Sequence, residues 1–344
     1  MKARNIYLVV FSGVSVLGIM LIVYSYQVFK NPNLIVRQEQ GELLIPEKAT
    51  IQQVLDSLTA HQYVEDVVSF MFVSKLLGYH DNIKPGRYIL SKNLTNIDAV
   101  RRLRSGAQTP VNVTFTNARL KEELPEKLCR NITANPDEFY ALLTNPKKVK
   151  ELGFDSLTIA AMFLPNTYEM YWTTNAEELM ARMKREYDRF WNEARRKKAE
   201  ALGLTPIQVS ILASIVQAET IKSDEKSTVA GLYINRLNRG MLLEADPTVV
   251  FANKDFTITR VLNKHLKVDS PYNTYKYSGL PPGPINIPEI SSIEAVLNYK
   301  KHNYIFMCAK EDFSGYHNFA ATNREHVNNA NRYRRALSRR GIKN

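Results

Sequence analysis

The chain opens on an uninterrupted apolar run. Residues 6–26 are apolar or small and carry no charge, and about 20 residues at ~1.5 Å rise cross a ~30 Å hydrocarbon core. Lys2 and Arg4 precede the run and Lys30 follows it. Both flanks are basic, so charge alone orients the segment weakly. The rival reading is a cleaved signal peptide, which needs a small-x-small site behind its apolar core. Residues 24–30 read YSYQVFK and offer none. The expectation is therefore a cytoplasmic tip over 1–5, an uncleaved anchor over 6–26 and the rest of the chain on one side of the membrane.

Past a connector at 29–38 the pattern breaks into short periods. Residues 41–45 alternate as a strand, and Thr50 opens a helix that carries Ile51, Val54, Leu55 and Leu58 on one face. A second amphipathic stretch spans 64–77, a turn and strand follow at 84–90, and a helix over 95–103 stops at Gly106. Next come a strand at 110–115, helices over 120–132 and 136–143, an aromatic segment broken by Pro at 163–172, and one long helix over 176–202. The remainder predicts helices at 224–239, 249–252, 293–299 and 322–337. Short strands fall at 241–243, 304–308 and 316–319, and Gly/Pro-rich loops at 270–275 and 278–284. The fold class is α+β: a single N-terminal transmembrane helix, a small α/β module over 39–108 and a mixed α/β domain over 109–344.

Residues 205–220, TPIQVSILASIVQAET, carry the chemical signal. Thr205 and Gln208 have the spacing of a capping box, with Pro206 at the first helical position. The apolar stripe Leu212, Ile215, Val216 leads on to Glu219. A carboxyl continuing an apolar stripe is desolvated, which favours its protonated form and suits a general acid. The bland alternative is a helix end that turns to solvent or to an Arg.

Composition narrows the partners. Lys and Arg number 46 against 34 Asp and Glu, a net charge of +12. Part of the excess gathers in Arg332, Arg334, Arg335, Arg339, Arg340 and Lys343. An anionic membrane or an acidic polymer suits an anchored chain better than nucleic acid, and a solvated terminal helix is the plain alternative. Cys129 and Cys308, the only two cysteines, give no disulfide framework. No Cys/His cluster has metal-ligand spacing, so neither metal nor cofactor is expected. The aromatic segment at 163–172, with Tyr168, reads either as a surface that packs on sugar rings or as a buried corner.

With these residues in view, the chain resembles the MltG-like (YceG-like) endolytic murein transglycosylases. The resemblance rests on ASIVQAET at 213–220, GLYINRL at 231–237, EADPTVVFA at 244–252, SPYNTY at 270–275, GLPPGPI at 279–285, FLPNTYEM at 163–170, and H-N-F with T-x-x-x-H at 317–326. It implies that 39–108 is a LysM-like module and 109–344 a catalytic domain lying outside the cytoplasmic membrane. It also implies cleavage within peptidoglycan glycan strands between N-acetylmuramic acid and N-acetylglucosamine, leaving 1,6-anhydro ends, with peptidoglycan synthases as candidate protein partners. Many relatives carry E-x-E in the first string. Here Gln217 stands first and Glu219 second, which leaves Glu219 as the one catalytic candidate.

The neighbouring residues each have two readings. Asn235 and Arg236 are expected to bind the acetamide or lactyl carboxylate, or else to lock their helix internally. Asp246 is a second carboxylate or a helix cap. Tyr272, Asn273 and Tyr275 are expected as cleft walls, and His317 and His326 as hydrogen-bonded structural groups. Two other functions compete with the lyase: a hydrolysing muramidase using Asp246 or Glu169 beside Glu219, and a non-catalytic peptidoglycan-binding scaffold.

Overall fold

A computed structural model describes residues 2–36 and 40–341. Met1 of the expected tip, Gln38 of the connector, Glu39 at the start of the small module and Lys343 of the basic tail lie outside the described residues. The chain divides into two bodies. The first comprises Met1–Asn112 with Asn131–Thr133 and Glu169–Thr174; the second comprises Val113–Arg130, Ala134–Tyr168 and Asn175–Asn344.

In the first body the apolar run forms α1 (Lys2–Lys30). Among the described residues it alone is long and apolar enough to cross a membrane as a single helix, with mean hydropathy 2.6 over its most apolar 18 residues, none of them buried. Its last turn belongs to the folded body instead of a connector: Val28 is buried, and its carbonyl accepts from Asn96 Nδ2 at 3.0 Å. Beyond it, β1 (Pro32–Leu34) pairs antiparallel with β4 (Leu94–Thr95), and β2 (Gln40–Ile45) with β3 (Gly86–Ser91). Between β2 and β3 run α2 (Ile51–Ala60), capped by Thr50 with Gln53 reaching back, and α3 (Val67–Leu76), capped by Asp66. α4 (Asn96–Ser105) ends on Gly106 in the left-handed region, as the sequence predicts. The alternation of β2 buries Leu43 and Ile45 with Leu58, Phe70 and Tyr88 in one core.

In the second body the expected helix over 120–132 shrinks to α5 (Leu124–Leu128), after β5 (Val111–Phe115). Pro125 sits in the first turn of α5, where its missing N–H costs no bond, so the residues before it form a 3-10 turn (Lys121–Glu123) and not a continuation of the helix. α6 (Pro136–Thr144) and α7 (Pro146–Glu151) each open on an Asn cap followed by Pro. The aromatic segment holds β6 (Asn166–Met170) and is a buried corner up to Met170, with Tyr171 exposed. Phe163 and Tyr168 are buried, Tyr168 stacks on Phe115, and its hydroxyl donates to the Leu164 carbonyl. Tyr168 is thus core, not a sugar platform.

The expected long helix splits into α8 (Ala176–Phe190) and α9 (Glu193–Ala201), because Trp191 turns into the core and Asn192 recaps the chain. α10 (Pro206–Glu219) carries the expected capping box, but it is buried all round from Val209 to Val216. It packs against α11 (Lys226–Asn238), α12 (Asp246–Asn253) and α13 (Ile290–Leu297). Residues 241–243 form no strand. β7 (Phe306–Ala309) and β8 (His317–Ala320) form an antiparallel pair, and α14 (Asn323–Arg339) packs on it. In the basic tail, Arg332 pairs with Glu311 and Arg340 lies 3.8 Å from the Phe313 ring centre.

Candidate active site

Glu219 is the last residue of the buried helix α10, so its backbone position is fixed by the packing of the eight preceding buried residues. The loop after the GLPPGP turn is stitched to the same helix. The Ile285 N–H donates to Ser214 Oγ at 3.0 Å, and Asn286 Nδ2 donates to the Ser214 carbonyl at 2.8 Å. Gln217, the residue at the first position of the expected acidic pair, serves α13. Its Oε1 accepts from the Glu289 N–H at 2.6 Å and from Ser292 Oγ at 3.1 Å.

Two cavities meet at Glu219 and Asp246, which line both. The larger, about 910 Å³, is also walled by Arg119, Phe251 and Phe256, with the Arg119 guanidinium 4.4 Å from the Phe256 ring centre. The smaller, about 280 Å³, is lined by Tyr233, Tyr275, His317 and His326 among others.

Burial pushes the Glu219 carboxyl up to about 7, against an ordinary 4.5; a hydrogen bond from Tyr233 opposes the rise and the nearby Asp246 charge adds to it. The Tyr233 hydroxyl donates to Glu219 Oε1 at 2.7 Å. Asp246 in turn accepts from the Tyr275 hydroxyl at 2.6 Å, and burial, followed by that bond, drives the Tyr275 phenol upward. A carboxyl poised near neutrality can both give and take a proton.

Of the two readings of Asp246, the helix cap does not form. Ala245 holds the cap position, and Asp246 is the first residue of α12 with its carboxylate turned to Tyr275. The segment is held instead by Thr274, which bonds the Ala245 N–H at 3.0 Å and Thr248 Oγ1 at 2.8 Å. Of the three expected cleft walls, Tyr275 alone lines either of these two cavities. Asn273 is fully buried and ties its loop to the carbonyls of Leu266 (2.9 Å) and Val268 (2.8 Å). Tyr272 packs behind Phe251, with ring centres 4.7 Å apart.

Asn235 and Arg236 make the internal contacts, and Arg236 also lines the smaller cavity. Asn235 Nδ2 donates to the carbonyls of His302 at 2.7 Å and Tyr304 at 3.0 Å. Arg236 is buried, donates to the carbonyls of Leu242 at 2.8 Å and Ile305 at 2.9 Å, and pairs with Glu244. A guanidinium committed to two carbonyls and a carboxylate is a brace between segments.

His317 is bonded, as expected, through Nδ1 to Glu225 Oε2 at 2.8 Å. His326 differs. Its ring stacks on Phe306 with centres 5.1 Å apart, and its buried Nδ1 has no partner. Tyr233, the Glu219 partner, escapes sequence reasoning because it occupies an ordinary apolar position of its helix. Among the described residues no group of three or more His, Cys, Asp or Glu has the arrangement of a metal site, and Cys129 and Cys308 are free thiols.

A YceG-like family model matches residues 43–332. Relatives named endolytic murein transglycosylase include one from Streptococcus pneumoniae serotype 2 (strain D39), 26% identical over 300 residues that cover 77% of this chain and 53% of the relative. Another, from Bacillus subtilis (strain 168), is 26% identical over 301 residues, covering 82% of this chain and 81% of the relative. The chain thus spans about half the length of the pneumococcal relatives it matches. A crystal structure of a yceG-like protein from Listeria monocytogenes matches with a TM-score of 0.55 and 23% identity, covering 84% of this chain and 98% of that one. That likeness shows the shared fold.

Proposed function

Because the chain belongs to the YceG-like family, we propose that it is an endolytic lytic transglycosylase that cuts peptidoglycan glycan strands internally. The observation that carries this reading is the Glu219 carboxyl, held at the end of α10 where two cavities meet and pushed up to about 7 by burial. A strand lying through both would present a bond inside its length to Glu219. The names of the relatives support the same reaction class.

Glu219 enters protonated and donates to the glycosidic oxygen as the bond from the muramyl C1 breaks. The muramyl O6 hydroxyl attacks C1, its proton returns to Glu219, and a 1,6-anhydro ring closes. No water is consumed. The attack is intramolecular, so holding the ring in the right geometry replaces the activated water or second carboxylate that ordinary glycosidases require. The Asp246 carboxylate keeps the Glu219 proton in place and offsets positive charge developing at C1. On this reading α1 anchors the chain in the cytoplasmic membrane with the residues from 39 onward outside. Residues 39–108 are the LysM-like module that holds or spaces the strand, and nascent strands beside peptidoglycan synthases are the substrate.

The acid role fixes the sign of the pH dependence. The active form is protonated, so kcat/KM falls as pH rises through about 7. Tyr233→Phe removes the bond that lowers the Glu219 pKa and shifts this fall upward. Asp246→Asn removes a charge that raises it and shifts the fall downward. Each shift is expected to be about half to one pH unit. Profiles that stay superimposed would contradict the assignment.

Internal cutting is tested by digesting long uncrosslinked strands with the full chain in detergent micelles and following their length. The reading expects long strands to vanish early into intermediate lengths. Steady release of disaccharide from one end, with long strands persisting, would contradict it.

A further inference from the structure

Glu225 is a buried carboxylate, 5% exposed, that takes no part in the chemistry proposed above. Its Oε1 accepts the His317 N–H at 2.8 Å, and its Oε2 accepts from Thr220 Oγ1 at 3.0 Å and contacts His317 Nδ1 at 2.8 Å. Thr220 directly follows Glu219, so one carboxylate ties the chain at the proton donor to the His317 imidazole. A carboxylate can only accept, so the ring proton on this side lies on Nδ1. In the neutral ring, Nε2 then carries a lone pair. Nε2 has no hydrogen-bond partner among the described residues, and His317 lines the smaller cavity together with Glu219.

We propose that His317 orients substrate. Its Nε2 accepts a hydrogen bond from a sugar hydroxyl bound in the smaller cavity, and Glu225 fixes the tautomer that makes Nε2 an acceptor. The arrangement follows the logic by which a carboxylate fixes a catalytic imidazole in hydrolytic triads, used here to orient a hydroxyl. The proposal rests on the glycan-cleaving reading of the same site.

Two conservative variants separate this role from a structural one. In His317→Asn the side-chain amide reaches the position of Nδ1 and keeps the Glu225 contact, but nothing remains where Nε2 was. In His317→Gln the amide reaches towards the Nε2 position and the Glu225 contact is lost. The expected order of thermal stability is wild type, H317N, H317Q. The expected order of kcat is wild type, H317Q, H317N, with H317N down about 10- to 100-fold. A kcat order that follows the stability order, or an H317N with the wild-type kcat, would overturn the proposal.

If H317N unfolds at the assay temperature, Glu225→Gln carries the test. The Gln amide donates to Nδ1, moves the ring proton to Nε2 and is expected to lower kcat by a similar factor in a folded chain. An unchanged kcat in E225Q would overturn the proposal. Wild-type products are characterised in the same digest. Hydrated reducing ends there would defeat the lytic reading and leave the order of the variants to be judged separately.

Discussion

Glu219→Gln is expected to reduce strand cleavage to a trace and yet to leave the protein more stable above neutral pH. The rate loss is expected to be on the order of 1,000-fold, the scale of a general acid for which no neighbour substitutes. The gain in stability follows from burial. Folding raises the Glu219 pKa from 4.5 to about 7, so the folded chain binds its proton more tightly than the unfolded one. Stability falls as pH rises across that window, and above it the chain bears the full cost of a desolvated charge. Gln is neutral throughout and can still accept from Tyr233. Because Glu219 opens onto the cavities, the cost is on the order of 2 kcal/mol, below what the shift alone would give. Thermal unfolding is expected to favour E219Q at about pH 8 and to show no difference below about pH 4. Equal stability at both pH values would mean that the carboxyl is not desolvated.

Arg236→Ala is expected to be the most damaging stability change near the site. Its guanidinium bonds the carbonyls of Leu242 and Ile305 and pairs with Glu244, all within the second body. Removing it leaves two acceptors without donors and opens a void, a loss of about 3 kcal/mol. A urea midpoint well below wild type is the expected result. A KM increase with an unchanged midpoint would return Arg236 to the ligand role that the sequence suggested.

The contrast between Arg236 and Glu219 marks what was legible in the sequence. Local rules carried far. The Thr205 capping box, the Thr50 cap and the Gly106 stop all form, since each depends on residues within one turn. That the Glu219 carboxyl is desolvated was legible from the apolar residues before it, although α10 is buried on every side and has no single stripe. Polar residues in motif strings were harder to assign, because Asn235, Arg236 and Asn273 look the same in sequence whether they face a ligand or a distant carbonyl. Their partners lie up to 69 residues away. The same limit hid Tyr233 as the partner of Glu219 and Glu225 as the partner of His317. The helices that broke, at Pro125 and Trp191, did so where tertiary burial or a missing N–H outweighed a sound helical period.

The most direct test of the central claim is to follow solvent oxygen. Glycan strands are digested with the wild-type chain in ¹⁸O-enriched water, beside E219Q, and the new muramyl ends are weighed by mass spectrometry. The account predicts anhydro ends from the wild type, lighter by one water and free of ¹⁸O, and no new ends from E219Q. Reducing ends carrying ¹⁸O, or anhydro ends formed by E219Q at the wild-type rate, would contradict it.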